Sequence, residues 1–317
     1  MKWSAKAPSN IALIKYMGKL DATHNIPTNP SLSFTLDNLN TFVELEINPA
    51  QRDSWESLEN GFKLSEPAQQ RFLSHLQFLK TYFHYNGYFI VRSRNNFPMS
   101  SGLASSASSF AALTKVACQA LAELTNGDIP DVTVMANLSR EGSGSSCRSF
   151  FRPWSIWDER GARELDLPYT DLFHDCLLIN RDEKTVSSSE AHRRVTTSPL
   201  FEGRPERATR RLADLIKALK NSDWTHAFEI TWDEFQDMHE LFATSTPSFH
   251  YMTKASHDAL NLLQKFWTEH HDGPLVTMDA GPNIHLLYRP DQKELAEEFS
   301  TNYTTRIFNS GVMNREP

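Results

Sequence analysis

The sequence predicts a mixed α+β fold in two domains, and three observations carry that expectation. The first forty or so residues alternate short apolar stretches with turn signals, and Val43, Leu45 and Ile47 keep a period of two, so the chain opens in strands. Phe110, Leu113, Val116, Ala117, Ala120, Leu121 and Leu124 then recur at helical spacing up to the stop signal Asn126-Gly127, which places a helix over about 104–126. After the polar stretch 180–190 the character changes. Arg207–Lys220, Thr225–Phe242, His257–His270 and Gln292–Phe299 carry helical periodicity, with strands expected at Leu275–Met278 and His285–Tyr288. The division therefore falls near that stretch, giving domains 1–183 and 184–317 with a ligand cleft between them. The remaining elements are a helix over 66–84, a strand over 87–93, a short helix from Asp131 to Arg140, and strands at Asp175–Ile179 and in the apolar-aromatic run near Phe150 and Trp154.

Composition narrows the class. In a chain of 317 residues, 39% hydrophobic and 22% charged residues form a globular balance. No run approaches the roughly eighteen apolar residues that a membrane span needs. Met1–Pro8 lacks an apolar signal core, and Cys118, Cys147 and Cys176 are widely spaced and odd in number, which argues against a disulfide framework or a zinc site and fits a reducing cytoplasm. A net charge of -7 disfavours a nucleic-acid surface, so an anionic ligand has to meet a local basic pocket. The twelve histidines include no His-Glu-x-x-His pattern, and His270-His271 reads as a solvated helix end.

The most telling stretch is Asn95-Asn96-Phe97-Pro98-Met99-Ser100-Ser101-Gly102-Leu103-Ala104-Ser105-Ser106-Ala107-Ser108-Ser109, a glycine-bearing turn that empties into a serine-rich helix start. Gly102 permits backbone angles closed to other residues, and the free amides of the next turn point at an anion. Hydroxyls at Ser105, Ser106, Ser108 and Ser109 add donors and a magnesium ligand. A phosphate cradle is the leading reading. Serine is equally an ordinary helix cap, and nothing here has the Gly-Lys-Ser/Thr form of the common nucleotide loop.

Pro98-x-x-x-Gly102-Leu103-x-Ser105-Ser106-Ala107 is similar to the phosphate motif of the GHMP kinase superfamily. Ala7-Pro8-Ser9-Asn10-Ile11-Ala12-Leu13-Ile14-Lys15-Tyr16-Met17-Gly18-Lys19, with Asn25-Ile26-Pro27-Thr28-Asn29, resembles the opening of the diphosphomevalonate decarboxylase family, which usually has tryptophan where Met17 stands. Gly142–Ser149 and Met278–Asn283 are similar to two further motifs of that family, so four blocks run in the right order from residue 7 to residue 283. The resemblance implies a two-domain GHMP kinase fold that consumes ATP with Mg2+ and decarboxylates mevalonate 5-diphosphate to isopentenyl diphosphate. It also implies a cytoplasmic homodimer with a small-molecule substrate and neither a nucleic-acid nor a membrane partner. Nucleotide contacts are expected from Asn96, Pro98, Ser101, Gly102, Leu103, Ala104, Ser105 and Ser106, with Ser106 on the metal. Neighbouring readings are a phosphomevalonate decarboxylase, a mevalonate 3-kinase and a ligand-sensing relative without turnover.

The residues expected to carry chemistry are few. Strand alternation puts Lys15 on the face of Ile11 and Leu13, where a cation needs a partner, unless it is a lysine snorkelling from an edge. Arg148 ends the run Gly142-Ser143-Gly144-Ser145-Ser146-Cys147, whose amides and hydroxyls form an anion nest beside a planar, permanently charged fork. Its alternative is a flexible loop arginine paired with a surface carboxylate. Asp279 follows an apolar strand and precedes Gly281-Pro282, which presents a carboxylate able to orient a hydroxyl and take its proton, or merely to cap its own turn. By resemblance Lys15, Arg148 and Asp279 are catalytic. Tyr16, Lys19, Ser143, Gly144, Ser145, Ser146, Arg148, Ser188 and Ser189 contact the substrate, although the glycine and methionine that usually follow the last pair are replaced, with His192-Arg193-Arg194 downstream. The family's usual Gly-Gly after the arginine block is Arg152-Pro153 here.

Overall fold

The computed structural model describes residues 1–59, 63–97, 105–180 and 185–302, together with the backbone of 307–309. The expected opening strands form β1 (Lys2–Ile14), the short β2 (Lys19–Asp21) and β3 (Ile26–Pro27), and the long β4 (Ser31–Ile47). β1 runs antiparallel to β4 along most of its length, with a register shift at Pro8/Ser9. β5 (Ser54–Ser57) and the helix α1 (Glu66–Tyr82) follow, then β6 (Phe89–Asn95), α2 (Ser105–Thr125) and α3 (Val132–Gly142). β7 (Trp154–Asp158) and β8 (Gly161–Glu164) complete a six-stranded sheet ordered β5-β6-β4-β7-β8 with β1 also on β4. The inner face of α2 packs Val116, Ala117, Ala120 and Leu121 with Phe72 and Leu76 of α1 and Val43 and Leu45 of β4, the burial that the helical spacing anticipates.

The second half supplies β9 (Phe173–Leu177), α4 (Ser188–Arg194), α5 (Arg204–Lys220), α6 (Trp224–Thr244), α7 (Lys254–His270), β10 (Leu275–Met278), β11 (Ile284–Tyr288), α8 (Lys293–Asn302) and β12 (Ile307–Asn309). A second sheet is ordered β10-β11-β9-β12. The chain crosses from one sheet to the other between Glu164 and Phe173, so β9, which precedes residue 183, is a strand of the second sheet. The two halves share one core, in which Ile11, Leu13 and Phe34 meet Leu215, Trp224 and Trp267.

That shared core changes two expectations. From Ala7 to Ile14 β1 is covered on both faces, so no polar-apolar alternation sorts its side chains and Lys15, one residue past the strand, is buried by helices rather than by strand phase. The apolar-aromatic run becomes a strand at Trp154, as expected, but not near Phe150. Residues Gly144–Phe150 form a 3-10 helix, closed where the Ser146 amide and hydroxyl both donate to the Ser143 carbonyl at 2.9 and 2.6 Å. The polar stretch near 190 likewise contains a helix, α4, because Ser187 caps the Glu190 amide and Glu190 pairs with Arg193 and Arg194.

Candidate active site

A cavity of about 590 Å3 lies where β1, α1, the start of α2, the 3-10 helix, α4 and the β10–β11 turn converge. Lys15, at the exit of β1, is 2% exposed and donates from Nζ to Asp279 Oδ1 at 2.7 Å. Burial lowers the ammonium from an ordinary lysine value of 10.5; the Asp279 carboxylate opposes this and Arg148 adds to it. The main chain of Lys15 is clamped as well. Its N–H donates to Glu234 Oε1 at 2.9 Å, and its carbonyl accepts from Asn29 Nδ2 at 2.9 Å and from Arg204 at 3.3 Å. Glu234 and Arg204, fully buried, form a close ion pair that Asp237 extends. Asp279 stands past the end of β10, and its carbonyl lies 3.1 Å from His239 Nε2, which must therefore carry the proton; burial pushes His239 down to about 3, so the ring is neutral.

Arg148 is 3% exposed, and its fork meets neutral oxygens: Ser33 Oγ at 2.5 Å, Ser31 Oγ at 2.9 Å and Asn10 Oδ1 at 3.3 Å. Among the described residues no carboxylate forms an ion pair with it. A buried guanidinium held by hydroxyls, with Asp279 acting on it only at a distance, is an oriented positive charge, which is how an anion site is built and how a surface ion pair is not. Asn10 ties the site together by donating to the Ser145 carbonyl at 3.2 Å and to Ser149 Oγ at 2.8 Å.

The other expected substrate residues separate into two groups. Tyr16, Lys19, Ser143, Gly144, Ser145, Ser188 and Ser189 all line the cavity. Tyr16 lies against Gly144 so closely that a Cβ there would sit 2.6 Å from its ring, and it packs edge-on against Trp157. Lys19 donates to Asn25 Oδ1 at 2.6 Å, and burial, followed by the Arg71 cation, lowers its ammonium. Ser146 is turned away: fully buried, it accepts from Ser139 Oγ at 2.6 Å and holds the 3-10 helix closed. Met17, in the usual tryptophan position, is buried beside Met238 and Ala280.

Of the residues expected at the nucleotide, Ser105 and Ser106 line the cavity at the start of α2. Asn96 does not; its amide accepts from Asn40 N at 2.8 Å and donates to the Asn38 carbonyl at 2.8 Å, fastening β4. Ser108 is also withdrawn, bonded to Thr41. Pro98, Ser101, Gly102, Leu103 and Ala104 lie outside the described residues. Among the described residues no group of three or more His, Cys, Asp or Glu could hold a metal ion.

Four cavity-facing or supporting residues escape the sequence reading. Arg71 comes from α1, where nothing in the helical pattern sets it apart, and reaches the Gly142 carbonyl at 3.2 Å. Asn10 lies inside a quoted block without an assigned role. His192 faces the cavity from α4, and Glu234 was hidden as one acidic residue in an amphipathic helix.

The two-sheet fold with this cavity is the GHMP kinase fold of the solved relatives. Residues 7–167 match the family described as diphosphomevalonate decarboxylase-like N-terminal domain, and residues 176–310 match the mevalonate 5-diphosphate decarboxylase C-terminal domain. The chain belongs to the diphosphomevalonate decarboxylase family. It is 30% identical to the diphosphomevalonate decarboxylase of Debaryomyces hansenii, over 92% of this chain and 80% of that protein. The crystal structure of a mevalonate diphosphate decarboxylase from Legionella pneumophila is 51% identical and superposes with a TM-score of 0.93, covering 97% of this chain and 100% of that one. A structure of MDDEF in complex with MVAPP, AMPPCP and magnesium is 28% identical, with a TM-score of 0.87 and 98% of both chains covered. No described helix is long and apolar enough to cross a membrane.

Proposed function

We propose that this protein is an ATP- and magnesium-dependent decarboxylase of mevalonate 5-diphosphate, which it converts to isopentenyl diphosphate, and that Lys15, Arg148 and Asp279 perform the chemistry. The observation that carries the reading is the meeting, in one cavity, of the Lys15–Asp279 ion pair with a buried arginine that has no described carboxylate partner.

Arg148 binds the substrate carboxylate, and Tyr16, Lys19, Arg71, Ser143, Gly144, Ser145, Ser188 and Ser189 surround the diphosphate. This sets the tertiary hydroxyl at Asp279, whose carboxylate takes the hydroxyl proton as the oxygen gains a phosphoryl group. Mg-ATP would supply that group, with Ser105 and Ser106 as the described residues that would hold its phosphates and Ser106 the one that would hold the metal. Lys15 orients Asp279, and its ammonium counters the charge gathered during transfer. The new phosphate then leaves with its C–O electron pair. The bond from the carboxyl carbon to its neighbour breaks, carbon dioxide departs, and those electrons become the new double bond. Arg148 fixes the carboxylate in line for this step.

The domain division belongs to the same proposal, with the cleft between a unit built on the first sheet and a unit built on the second, as does a cytoplasmic homodimer. The test offers mevalonate, phosphomevalonate and mevalonate diphosphate in parallel with Mg-ATP and measures phosphate and carbon dioxide. Both products should come from the diphosphate alone; equal release from the monophosphate moves the assignment to a phosphomevalonate decarboxylase, and ADP, followed in the same samples, formed with neither free phosphate nor carbon dioxide moves it to a 3-kinase.

A further inference from the structure

His192 lies three residues past Ser189, and its surroundings fix what that ring presents to the cavity. His192 Nδ1 lies 3.0 Å from the backbone N–H of Gly18. An amide can only donate, so Nδ1 is the bare nitrogen and the proton of the neutral ring sits on Nε2. Gly18 stands at a φ of +100°, which side-chain-bearing residues rarely adopt, and a Cβ there would meet Phe201 at 2.7 Å and Thr28 at 2.8 Å, so the position is reserved for glycine. The ring also lies on Tyr16, with centroids 4.4 Å apart at 44°. Burial, and then the Lys19 cation, hold His192 neutral, down to about 3. Among the described residues nothing accepts a hydrogen bond from Nε2, and the ring lines the cavity together with Lys19, Ser188 and Ser189.

We propose that His192 determines specificity at the phosphate end of the site, where Nε2–H donates a hydrogen bond to a non-bridging oxygen of the substrate diphosphate. The inference rests on the reading of this cavity as the diphosphate site. A neutral donor adds orientation where Lys19 and Arg71 already supply charge, and the Gly18 amide keeps the donor in one tautomer before the ligand arrives.

Two variants and one titration test this. His192→Phe keeps a ring against Tyr16 and removes the donor, so KM for mevalonate diphosphate should rise about ten- to a hundredfold, the range for a hydrogen bond to a charged acceptor, far more than kcat falls and with KM for ATP little changed. His192→Gln restores an N–H near the Nε2 position and should recover most of that loss. In the wild-type protein, nitrogen NMR of the ring should show a protonated Nε2 that shifts when inorganic pyrophosphate is added, with Nδ1 still an acceptor. An unmoved Nε2 signal, or a wild-type KM in His192→Phe, overturns the proposal. So does a His192→Phe variant that loses ATP and substrate affinity alike with a lower thermal midpoint and no rescue by glutamine, since that describes a strut between α4 and the turn after β1. If the wild-type protein releases no carbon dioxide from mevalonate diphosphate, the functional reading fails, and the pyrophosphate titration still decides His192.

Discussion

Removing either partner of the Lys15–Asp279 pair should cost stability and turnover together, and the structure sets the scale. At 2.7 Å the attraction is about 6 kcal/mol with an effective dielectric constant near 20. Desolvation offsets much of it, because the lysine side chain is 2% exposed while the aspartate keeps 29%. Asp279→Asn leaves a buried ammonium facing a neutral amide and should destabilise by about 2–3 kcal/mol, toward the low end for breaking a buried pair. Lys15→Met leaves the carboxylate beside solvent and should cost less, about 1–2 kcal/mol. In the double variant the two losses should not add, giving a coupling energy of about 2 kcal/mol by urea denaturation. Turnover in Asp279→Asn should fall ~10²–10⁴-fold while ATP affinity stays close to wild type. A coupling energy below about 0.5 kcal/mol would refute the electrostatic argument, since additive losses mean independent groups. Near-normal turnover in Asp279→Asn would reduce that residue to a turn cap.

Arg148→Lys keeps the charge but loses the fork seated on Ser31, Ser33 and Asn10, so it should weaken substrate binding or decarboxylation far more than ATP binding; nucleotide and substrate affinities measured separately decide it, and the reverse pattern removes Arg148 from the carboxylate. Because burial lowers Lys15, the native protein releases that proton below 10.5 while the unfolded chain still holds it. Across that window stability gains from rising pH, whereas activity that needs the ammonium declines; a pH–rate profile with no alkaline loss below 10.5 contradicts this. Glu234→Gln leaves the buried Arg204 short of its counter-charge and loosens the Lys15 main chain, so denaturation should report a loss of about 3–5 kcal/mol, and a neutral effect would show that the clamp is dispensable. Asp175 in β9 is buried, with no hydrogen-bond partner for Oδ1 among the described residues, and burial raises its carboxyl from 3.8 to about 7. Between those values the native state keeps a proton that the unfolded chain has lost, so stability falls as pH rises, by about 4 kcal/mol over the window. Asp175→Asn should flatten that slope in denaturation midpoints taken from pH 4 to 7, and an unchanged slope places the titration elsewhere.

Much of the fold was legible because local periodicity and burial agree. Phe110 to Leu124 present one apolar stripe, and the structure buries that stripe, so the helix was readable to within a residue or two at each end. The strand carrying Asp279 was readable for the same reason, a short apolar run closed by a glycine-proline turn. Phe150 was misread because an apolar-aromatic run does not reveal that Ser146 hydrogen bonds wind the preceding backbone into a 3-10 helix.

The sequence by itself determined the kinds of residue at the site and their order: a lysine after an apolar strand, an arginine after a Gly/Ser run, an aspartate at a turn. These are local properties, each open to an ordinary structural reading, and it was the family resemblance that singled out Lys15, Arg148 and Asp279. Tertiary structure alone decided which of them touch. Lys15 and Asp279 lie 264 positions apart in the chain and become an ion pair because β1 and β10 both end at one cavity. The same closure took Ser146 and Asn96 out of the expected site, since their polar groups satisfy nearby backbone instead, and brought in Arg71 and His192 from helices whose patterns encode only burial. Hydrogen-bond satisfaction and long-range electrostatics depend on neighbours distant in sequence, and no local pattern records them.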